Sequence, residues 1–225
     1  MLLPGADRPL LAFIGGTGPE GRGLALRFGQ AGYDVIVGSR SPERAESIAH
    51  ELSLSLPHAN VEGRSNDMAA AEGDMAILTI PYAGLKETLP PLEGPLRGKI
   101  VVSAIAPVEF PEGRPVALRV EAGSAAQEVQ TCLPESRVVS AFQTVDAHVL
   151  GDLSSELDTD VLVCSDDQEA RREVIRMAGD LPGVRALSAG RLSASRYLEE
   201  VTALLIVLNR IYKAHSGFRI TGIKY

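Results

Sequence analysis

Short apolar runs alternate along the chain with segments in which apolar residues recur every three or four positions. The runs are apolar at consecutive positions, which is typical of strands buried on both faces, as in a parallel sheet covered by helices. They predict strands at Leu10–Ile14, Asp34–Val37, Met75–Ile80, Lys99–Ala104, Arg137–Phe142 and Asp160–Cys164. This alternation predicts an α/β fold, doubly wound, with a mainly parallel sheet.

The helical segments begin and end at residues that commonly terminate helices. Helices are predicted at Gly21–Gln30, at Pro42–Leu52, from after Asp167 to about Ala178, and from near Leu192 onward. Ser41 has the side chain of an N-cap for the second of them. We expect a sheet domain over residues 8–187, and a short C-terminal helical subdomain and tail over residues 188–225.

The acidic balance of the chain narrows the range of partners. Its 225 residues include 22 lysines and arginines against 29 aspartates and glutamates, which gives a formal net charge of −7. Such a surface repels nucleic-acid phosphates and anionic lipid heads, so we expect neither nucleic acid nor a membrane as partner. An anionic ligand would be held locally, by a helix N-terminus or a few arginines.

Cysteine and histidine usage gives no sign of a disulfide or a metal site. Cys132 and Cys164 lack metal-ligand spacing, and the apolar run around Cys164 predicts a buried thiol. None of the four histidines has a partner at metal-ligand spacing, although His148 lies just past a predicted strand and could face a site. The N-terminus lacks the basic segment of a signal peptide, so we expect a cytoplasmic protein.

A glycine-rich segment, Gly16-Thr17-Gly18-Pro19-Glu20-Gly21, follows the first predicted strand directly. Gly16 permits a tight turn into the helix, Gly18 lets the backbone approach a pyrophosphate, and Gly21 lets helix and strand pack closely. The helix N-terminus then offers free N–H groups to the phosphates. The pattern predicts a Rossmann-type dinucleotide site, the alternatives being a purely structural turn or another nucleotide-like ligand.

The end of the second predicted strand carries Ser39 and Arg40. An NAD site usually has an acidic residue here, which accepts hydrogen bonds from the ribose hydroxyls. A guanidinium and a hydroxyl suit a 2′-phosphate instead, and Arg44 lies one turn into the next helix. The residues therefore favour NADP over NAD, unless the two arginines are only solvated surface charges.

Two further predicted strand ends lead toward the same crevice. Thr79, Ile80, Pro81 and Tyr82 end one strand, and the small residues of the segment Ser103–Pro107 end the next. Pro81 lacks an N–H group and so ends its strand. Tyr82 could stack on a ring or only cover the sheet, and the small residues leave room for a nicotinamide or simply pack.

These motifs together resemble the family of coenzyme F420-dependent NADP oxidoreductases. The matching segments are Gly15–Gly18 with Gly21, Gly23–Arg27, Val37–Arg40, Leu78–Pro81, Lys99–Ser103, Val138–Ala141, Leu192–Ser193 with Ser195–Arg196, and Gly222–Lys224. The early segments are generic to NADP-binding Rossmann chains, whereas the last two are more specific to the family. The resemblance runs nearly end to end.

The resemblance implies a role for several individual residues. Those implied to bind or line NADP are Thr17, Gly18, Pro19, Glu20, Ser39, Arg40, Arg44, Ile80, Tyr82 and Ala147. The deazaflavin ring of F420 would lie beside Gln143, Val145 and the tail around Thr221. Gln143 stands where the family often has a histidine, and Asp146 where a proline is expected. The glutamine can still hydrogen-bond a ring carbonyl.

The implied reaction is hydride transfer between NADP(H) and F420, in which both cofactors carry the chemistry. The protein would hold the reacting atoms about 3–3.5 Å apart in a dry site. Two other functions remain open: an NADPH-dependent reductase of a flavin, a metal chelate or a small carbonyl, and a non-catalytic NADP-sensing module. The apolar C-terminal helix and the family both favour a homodimer.

Overall fold

The computed structural model describes residues 8–223 and has an eight-stranded sheet flanked by helices on both faces. The strands are β1 Leu11–Ile14, β2 Val35–Ser39, β3 Val61–Ser65, β4 Met75–Leu78, β5 Ile100–Ser103, β6 Val108–Glu109, β7 Val116–Ala117, β8 Arg137–Ser140, β9 Thr159–Cys164 and β10 Val184–Gly190. The helices are α1 Pro19–Gln30, α2 Pro42–Ser53, α3 Asn66–Glu72, α4 Leu85–Thr88, α5 Ala125–Cys132, α6 Ala147–Gly151, α7 Gln168–Gly179 and α8 Ser195–Tyr212.

The strand order in the main sheet is β10-β9-β8-β5-β4-β1-β2-β3. The chain builds outward from β1 to β3 on one side and then from β4 on the other, so the strand order switches between β1 and β4. Crevices that bind ligands in such sheets lie at the switch, beyond the carboxyl ends of the strands. The predicted doubly wound, Rossmann-type fold is confirmed, and β6 and β7 form a separate antiparallel hairpin.

Each face of the sheet has its own apolar core, because side chains alternate along each strand. Leu11 and Phe13 of β1 belong to the core that also includes residues of α1 and α7, whereas Ala12 and Ile14 belong to the core that also includes residues of α3 and α5. All four are fully buried. Consecutive apolar positions therefore did mark strands covered on both faces. The buried thiol of Cys164 is confirmed as well.

Strand β9 runs against the direction of its neighbour β8, with Ser140 paired to Cys164. Only the short helix α6 separates β8 from β9, and a parallel pair would need a crossover long enough to return the chain to the opposite edge. The chain instead turns back at once, so β9 begins at the edge where β8 ends. This places the start of β9 beside the crevice.

The C-terminal part packs across that same edge. Helix α8 contacts α5, β9 and the β6–β7 hairpin, and the tail then runs along the start of β9. Phe218 O accepts a hydrogen bond from Asp160 N–H, and Ile220 N–H donates to Asp160 Oδ2 at 2.7 Å. Strand β10 crosses the predicted boundary at residue 187, and the division into two domains stays a prediction. No described helix is long and apolar enough to cross a membrane.

Candidate functional site: a dinucleotide crevice

The glycine-rich loop joins β1 to α1 at the switch in strand order. Gly16 N–H donates to Phe13 O at 3.0 Å, and a Cβ at Gly16 would lie 2.8 Å from that oxygen. A Cβ at Gly21 would lie 2.6 Å from Gly16 Cα. At Gly18 the space is open, since the nearest atom, Gly15 O, is 3.7 Å away. Gly16 and Gly21 thus serve packing, whereas Gly18 leaves an open backbone surface.

Helix α1 begins at this open surface with Gly18 as N-cap, and no side chain among residues 8–223 caps it. Its first N–H groups are therefore available to an anionic ligand. Glu20 stands in the first turn, and its Oε1 is buried without a hydrogen-bond partner among the described residues. Burial, and secondly the charge of Asp146, raise the pKa of Glu20 to about 8. A phosphate at this loop therefore meets a carboxyl that is largely neutral near pH 7.

The end of β2 brings the predicted 2′-phosphate residues together. Ser39 is buried, and its Oγ accepts a hydrogen bond from Ser41 N–H at 3.2 Å. Ser41 Oγ accepts from Arg44 N–H, which confirms Ser41 as the N-cap of α2. The side chains of Arg40 and Arg44 are exposed, and within residues 8–223 neither forms an ion pair with a carboxylate. Both guanidiniums are thus free to bind an anion.

A groove of about 950 Å³ continues from the loop between α1, α2 and α6. Thr17 and Pro19 line it together with Arg44, and Ala147 and His148 line its far side. Predicted cofactor residues from three separate stretches of the chain therefore lie around one space. The role of each of them in binding stays a prediction.

The residues after β4 form the opposite side of the loop. Thr79 Oγ1 donates to Ile14 O at 3.2 Å, and the buried Ile80 packs against Gly15. Pro81 is exposed and starts the next turn. The hydroxyl of Tyr82 donates to Glu128 Oε2 at 2.8 Å, so the ring of Tyr82 is held toward α5. Of these residues, Thr79 and Ile80 contact the glycine-rich loop directly.

The turn after β8 positions Gln143 and Val145. Phe142 has a positive φ of 73°, which bends the chain. Gln143 and Val145 are both buried. Gln143 Nε2 donates to Ser140 Oγ at 3.0 Å, and Gln143 O accepts from Thr202 Oγ1 on α8 at 2.9 Å. Sequence reasoning did not single out Thr202, because its proximity to Gln143 arises only when α8 packs over the strand ends.

The comparisons with known proteins agree with this geometry. The family model for coenzyme F420-dependent NADP oxidoreductases matches residues 10–107. The F420-dependent NADP reductase of Methanocaldococcus jannaschii is 43% identical over 221 residues, which span 95% of this chain and 99% of that protein. The chain belongs to the F420-dependent NADP reductase family.

Other relatives extend the likeness over the whole chain. The F420-dependent NADP reductase of Methanothermobacter thermautotrophicus is 37% identical over 220 residues, 95% of each chain. The crystal structure of a putative F420-dependent NADP reductase from Arthrobacter sp. FB24 superposes with a TM-score of 0.82. It covers 95% of this chain and all of that one at 24% identity, so it bears on the fold alone. The resemblance found in the sequence is confirmed.

The C-terminal tail after α8 follows a path that the sequence did not predict. The buried carboxylate of Asp160 binds the guanidiniums of Arg185 and Arg219 as well as Ile220 N–H. We call these contacts of Asp160 with Arg185, Arg219 and Ile220 the Asp160 clamp. Thr221 is exposed just beyond it, and Lys224 lies outside the described residues.

A second space, of about 770 Å³, lies between the start of α8 and residues 117–123. Arg119 and Arg196 line it, together with the buried Glu199. The Glu199 carboxylate accepts the N–H groups of Ala125 at 2.8 Å and Ala126 at 3.1 Å, which caps α5. Burial raises the pKa of Glu199 to about 7, although these N–H bonds act in the opposite direction.

Proposed function

We propose that this protein transfers a hydride between NADP(H) and the deazaflavin coenzyme F420. The observation that carries the proposal is the open backbone surface at Gly18 beside the unpaired guanidiniums of Arg40 and Arg44. Membership of the F420-dependent NADP reductase family supports the identity of both substrates. The bound cofactors supply the hydride chemistry themselves.

The chain supplies binding and orientation of NADP. Arg40 and Arg44, with the hydroxyl of Ser39, would hold the 2′-phosphate through charge-assisted hydrogen bonds. The first turn of α1 would hold the pyrophosphate with its free N–H groups. The buried Oε1 of Glu20, which has no partner among residues 8–223, is one of the polar atoms that a ligand here would satisfy. The residues present thus fit NADP.

The second substrate would lie between the turn after β8 and α8. Gln143 and Val145 lie in the turn that follows β8, next to the crevice. Thr202 fixes the backbone of Gln143 from α8. We propose that Gln143 orients the deazaflavin ring and that the unit formed by residues 188–225 closes the crevice, with Thr221 at its rim.

One mixing experiment separates the proposed function from its alternatives. NADPH with oxidised F420 should lose the F420 absorbance at a rate proportional to the protein concentration. A flavin, a ferric chelate and a small carbonyl serve as competing acceptors under the same conditions. Reduction of one of these without F420 would contradict the proposed substrate. Tight NADPH binding without any turnover would identify a sensing module instead.

We also propose that the protein is a cytoplasmic homodimer. The support is an exposed apolar face on α8 that includes Tyr197, Leu204, Ile211 and Tyr212. Contiguous apolar surface of this kind commonly marks a protein interface. Cell fractionation tests the location.

A further inference from the structure

His148 lines the proposed NADP groove from α6. It borders the same space as Thr17 and Pro19 of the loop that leads into α1, and as the side chain of Arg44. Neither nitrogen of its ring has a hydrogen-bond partner among residues 8–223. An imidazole N–H can donate to a phosphate or ribose oxygen. The ring is thus available to an anionic ligand in this groove.

A second imidazole, from the segment after α8, supports this ring. The rings of His148 and His215 stack with centroids 4.1 Å apart and planes inclined by 19°. Lys213 ends α8 with a positive φ of 51°, and the chain then turns back toward α6. A stacked partner limits the rotamers that an exposed ring can adopt. His215 therefore orients His148 although it does not itself line the groove.

Asp146 joins the two segments that carry these histidines. Its Oδ1 accepts His148 N–H at 2.8 Å, which caps α6. Its Oδ2 accepts Asn209 Nδ2 at 3.0 Å and lies 3.2 Å from His215 Nδ1. One oxygen of the carboxylate thus holds α6, and the other holds the end of α8 together with His215.

Asn209, near the end of α8, fixes the segment that carries His215. Its Oδ1 accepts Ser216 N–H at 2.7 Å and the hydroxyl of Ser216 at 2.6 Å. Its Nδ2 donates to Asp146. The residue that follows His215 is therefore bound to the same amide that binds Asp146, and these bonds hold His215 against α6.

Arg27 holds α6 independently, from the side of α1. This arginine is buried and donates to the carbonyl oxygens of Val149 at 2.8 Å and Leu150 at 3.0 Å. Carbonyls at the end of a helix need such partners. Because α6 is fixed on α1 in this way, loss of the His215 contact should free the ring of His148 and leave the helix in place.

We propose that His148 is a further NADP-binding residue, and that Asp146 and His215 are positioning residues that hold its ring at the groove. The inference rests on the proposed function, because it takes NADP as the occupant of the groove. The loop before α1 would hold the pyrophosphate, and His148 would donate to a phosphate or ribose oxygen from the far side. The segment after α8 thus contributes to the NADP site as well as to the proposed second-substrate site.

Titration with NADPH alone, followed by fluorescence, tests the two histidines. His148→Ala and His215→Ala should each weaken NADPH binding by about 3- to 10-fold, about the value of one hydrogen bond. Because His215 acts through His148, the double variant should bind NADPH as weakly as His148→Ala and no more weakly. His58→Ala, at an exposed histidine outside the groove, is the control and should bind like the wild type. Additive losses, or wild-type affinity in His148→Ala, would overturn the proposal.

A reciprocal exchange tests Asp146. In Asp146→Asn one oxygen still accepts His148 N–H, but the new amide nitrogen meets Asn209 Nδ2, donor against donor. NADPH affinity should fall by about threefold or more. Adding Asn209→Asp replaces that nitrogen with an oxygen, so the bond forms in the opposite direction and affinity should return to within about twofold of the wild type. The control is Asp166→Asn, at an exposed aspartate. A double variant as weak as Asp146→Asn would contradict the positioning role.

Kinetics and melting temperatures separate this role from a structural one. In the weakened variants KM for NADPH should rise while kcat changes by less than about twofold, the result of losing binding that is equal in ground and transition states. A lower melting temperature with unchanged NADPH affinity would overturn the proposal. A wild type that binds no NADPH contradicts the proposed function as well. The expected losses of NADPH affinity without F420 turnover support the role of His148 and contradict only the proposed acceptor.

Discussion

Two glycines of one motif have different tasks. A Cβ at Gly21 would collide with the backbone of Gly16, whereas a Cβ at Gly18 would make only an ordinary van der Waals contact with Gly15 O at 3.7 Å. Substitution at Gly21 should therefore destabilise the fold, and substitution at Gly18 should leave it intact. The sequence motif predicts the same division, with close packing at Gly21 and ligand approach at Gly18.

Gly18→Val should abolish NADP binding in a folded protein, because the new side chain would occupy the space of the pyrophosphate. Calorimetric titration measures the affinity, and circular dichroism reports the fold. Gly94→Val is the matched control, since a Cβ at Gly94 also meets open space but lies far from the loop. Unchanged affinity in Gly18→Val would remove the glycine-rich loop from the NADP site.

Arg40→Ala should weaken NADP binding by about 1–3 kcal/mol, the cost of losing a charge-assisted contact. NAD lacks the 2′-phosphate, so its affinity should hardly change. Fluorescence titration with both cofactors measures the difference. Arg97→Ala, at an exposed arginine paired with Glu135, serves as the control. Equal losses for NADP and NAD would show that Arg40 does not read the 2′-phosphate.

The raised pKa of Glu20 should also make stability depend on pH. Its pKa is 4.5 in the unfolded chain and about 8 in the folded protein. Between these values the folded state holds a proton that the unfolded state has released, so the free energy of unfolding falls as pH rises. Glu20→Gln should flatten this decline. Urea denaturation between about pH 5 and pH 8 measures it, and an equal slope in both proteins would contradict the raised pKa.

At the scale of elements, apolar runs predicted six of the eight main-sheet strands. Strand β3 was missed because its residues, Val61–Ser65, contain one large apolar side chain. Gly63 lets α2 pack closely on this strand. A Cβ at Gly63 would lie 2.3 Å from Glu46 N and would push the helix away. Strand β10 was missed as well, and its Val184–Gly190 segment is only partly apolar.

The candidate site was predictable where it follows a strand directly. The glycine-rich loop, Ser39, Arg40 and Thr79 each come next to a predicted strand, so their convergence follows from the fold. Contacts made by α8 and the tail could not be predicted, because they depend on the direction of β9. The hydrogen bond from Thr202 Oγ1 to Gln143 O is of this kind, and so is the one from Ile220 N–H to Asp160 Oδ2.

The tail carries a prediction of its own. The Asp160 clamp ends at Ile220, so deletion of residues 221–225 leaves every described contact of the clamp in place. We expect the truncated protein to keep its NADP affinity, because the groove at the proposed NADP site is lined by other segments of the chain. F420 turnover should fall sharply if Thr221 and the following residues close the crevice. Full activity after the deletion would remove these residues from the site.

At the scale of the whole molecule, the position of the site is set by the switch in strand order between β1 and β4. The loops after β1 and β4 flank the switch, and the turns after β5 and β8 extend the same edge. The antiparallel β9 adds its beginning to that edge, and with it the tail. Nearly all proposed binding groups therefore lie on one rim of the sheet, which leaves the outer surface of α8 for another purpose.

That surface predicts the homodimer. Leu204 is 54% exposed at the centre of α8, with Tyr197 and Ile211 one heptad to either side. A glutamate there would put a charge into an apolar interface, where it is strongly disfavoured. Leu204→Glu should therefore sediment as one chain, whereas the wild type sediments as two. Leu54→Glu is the matched control, because Leu54 is 74% exposed at the end of α2 and away from this face. A wild type that sediments as one chain would contradict the dimer, and two chains in Leu204→Glu would place the interface elsewhere.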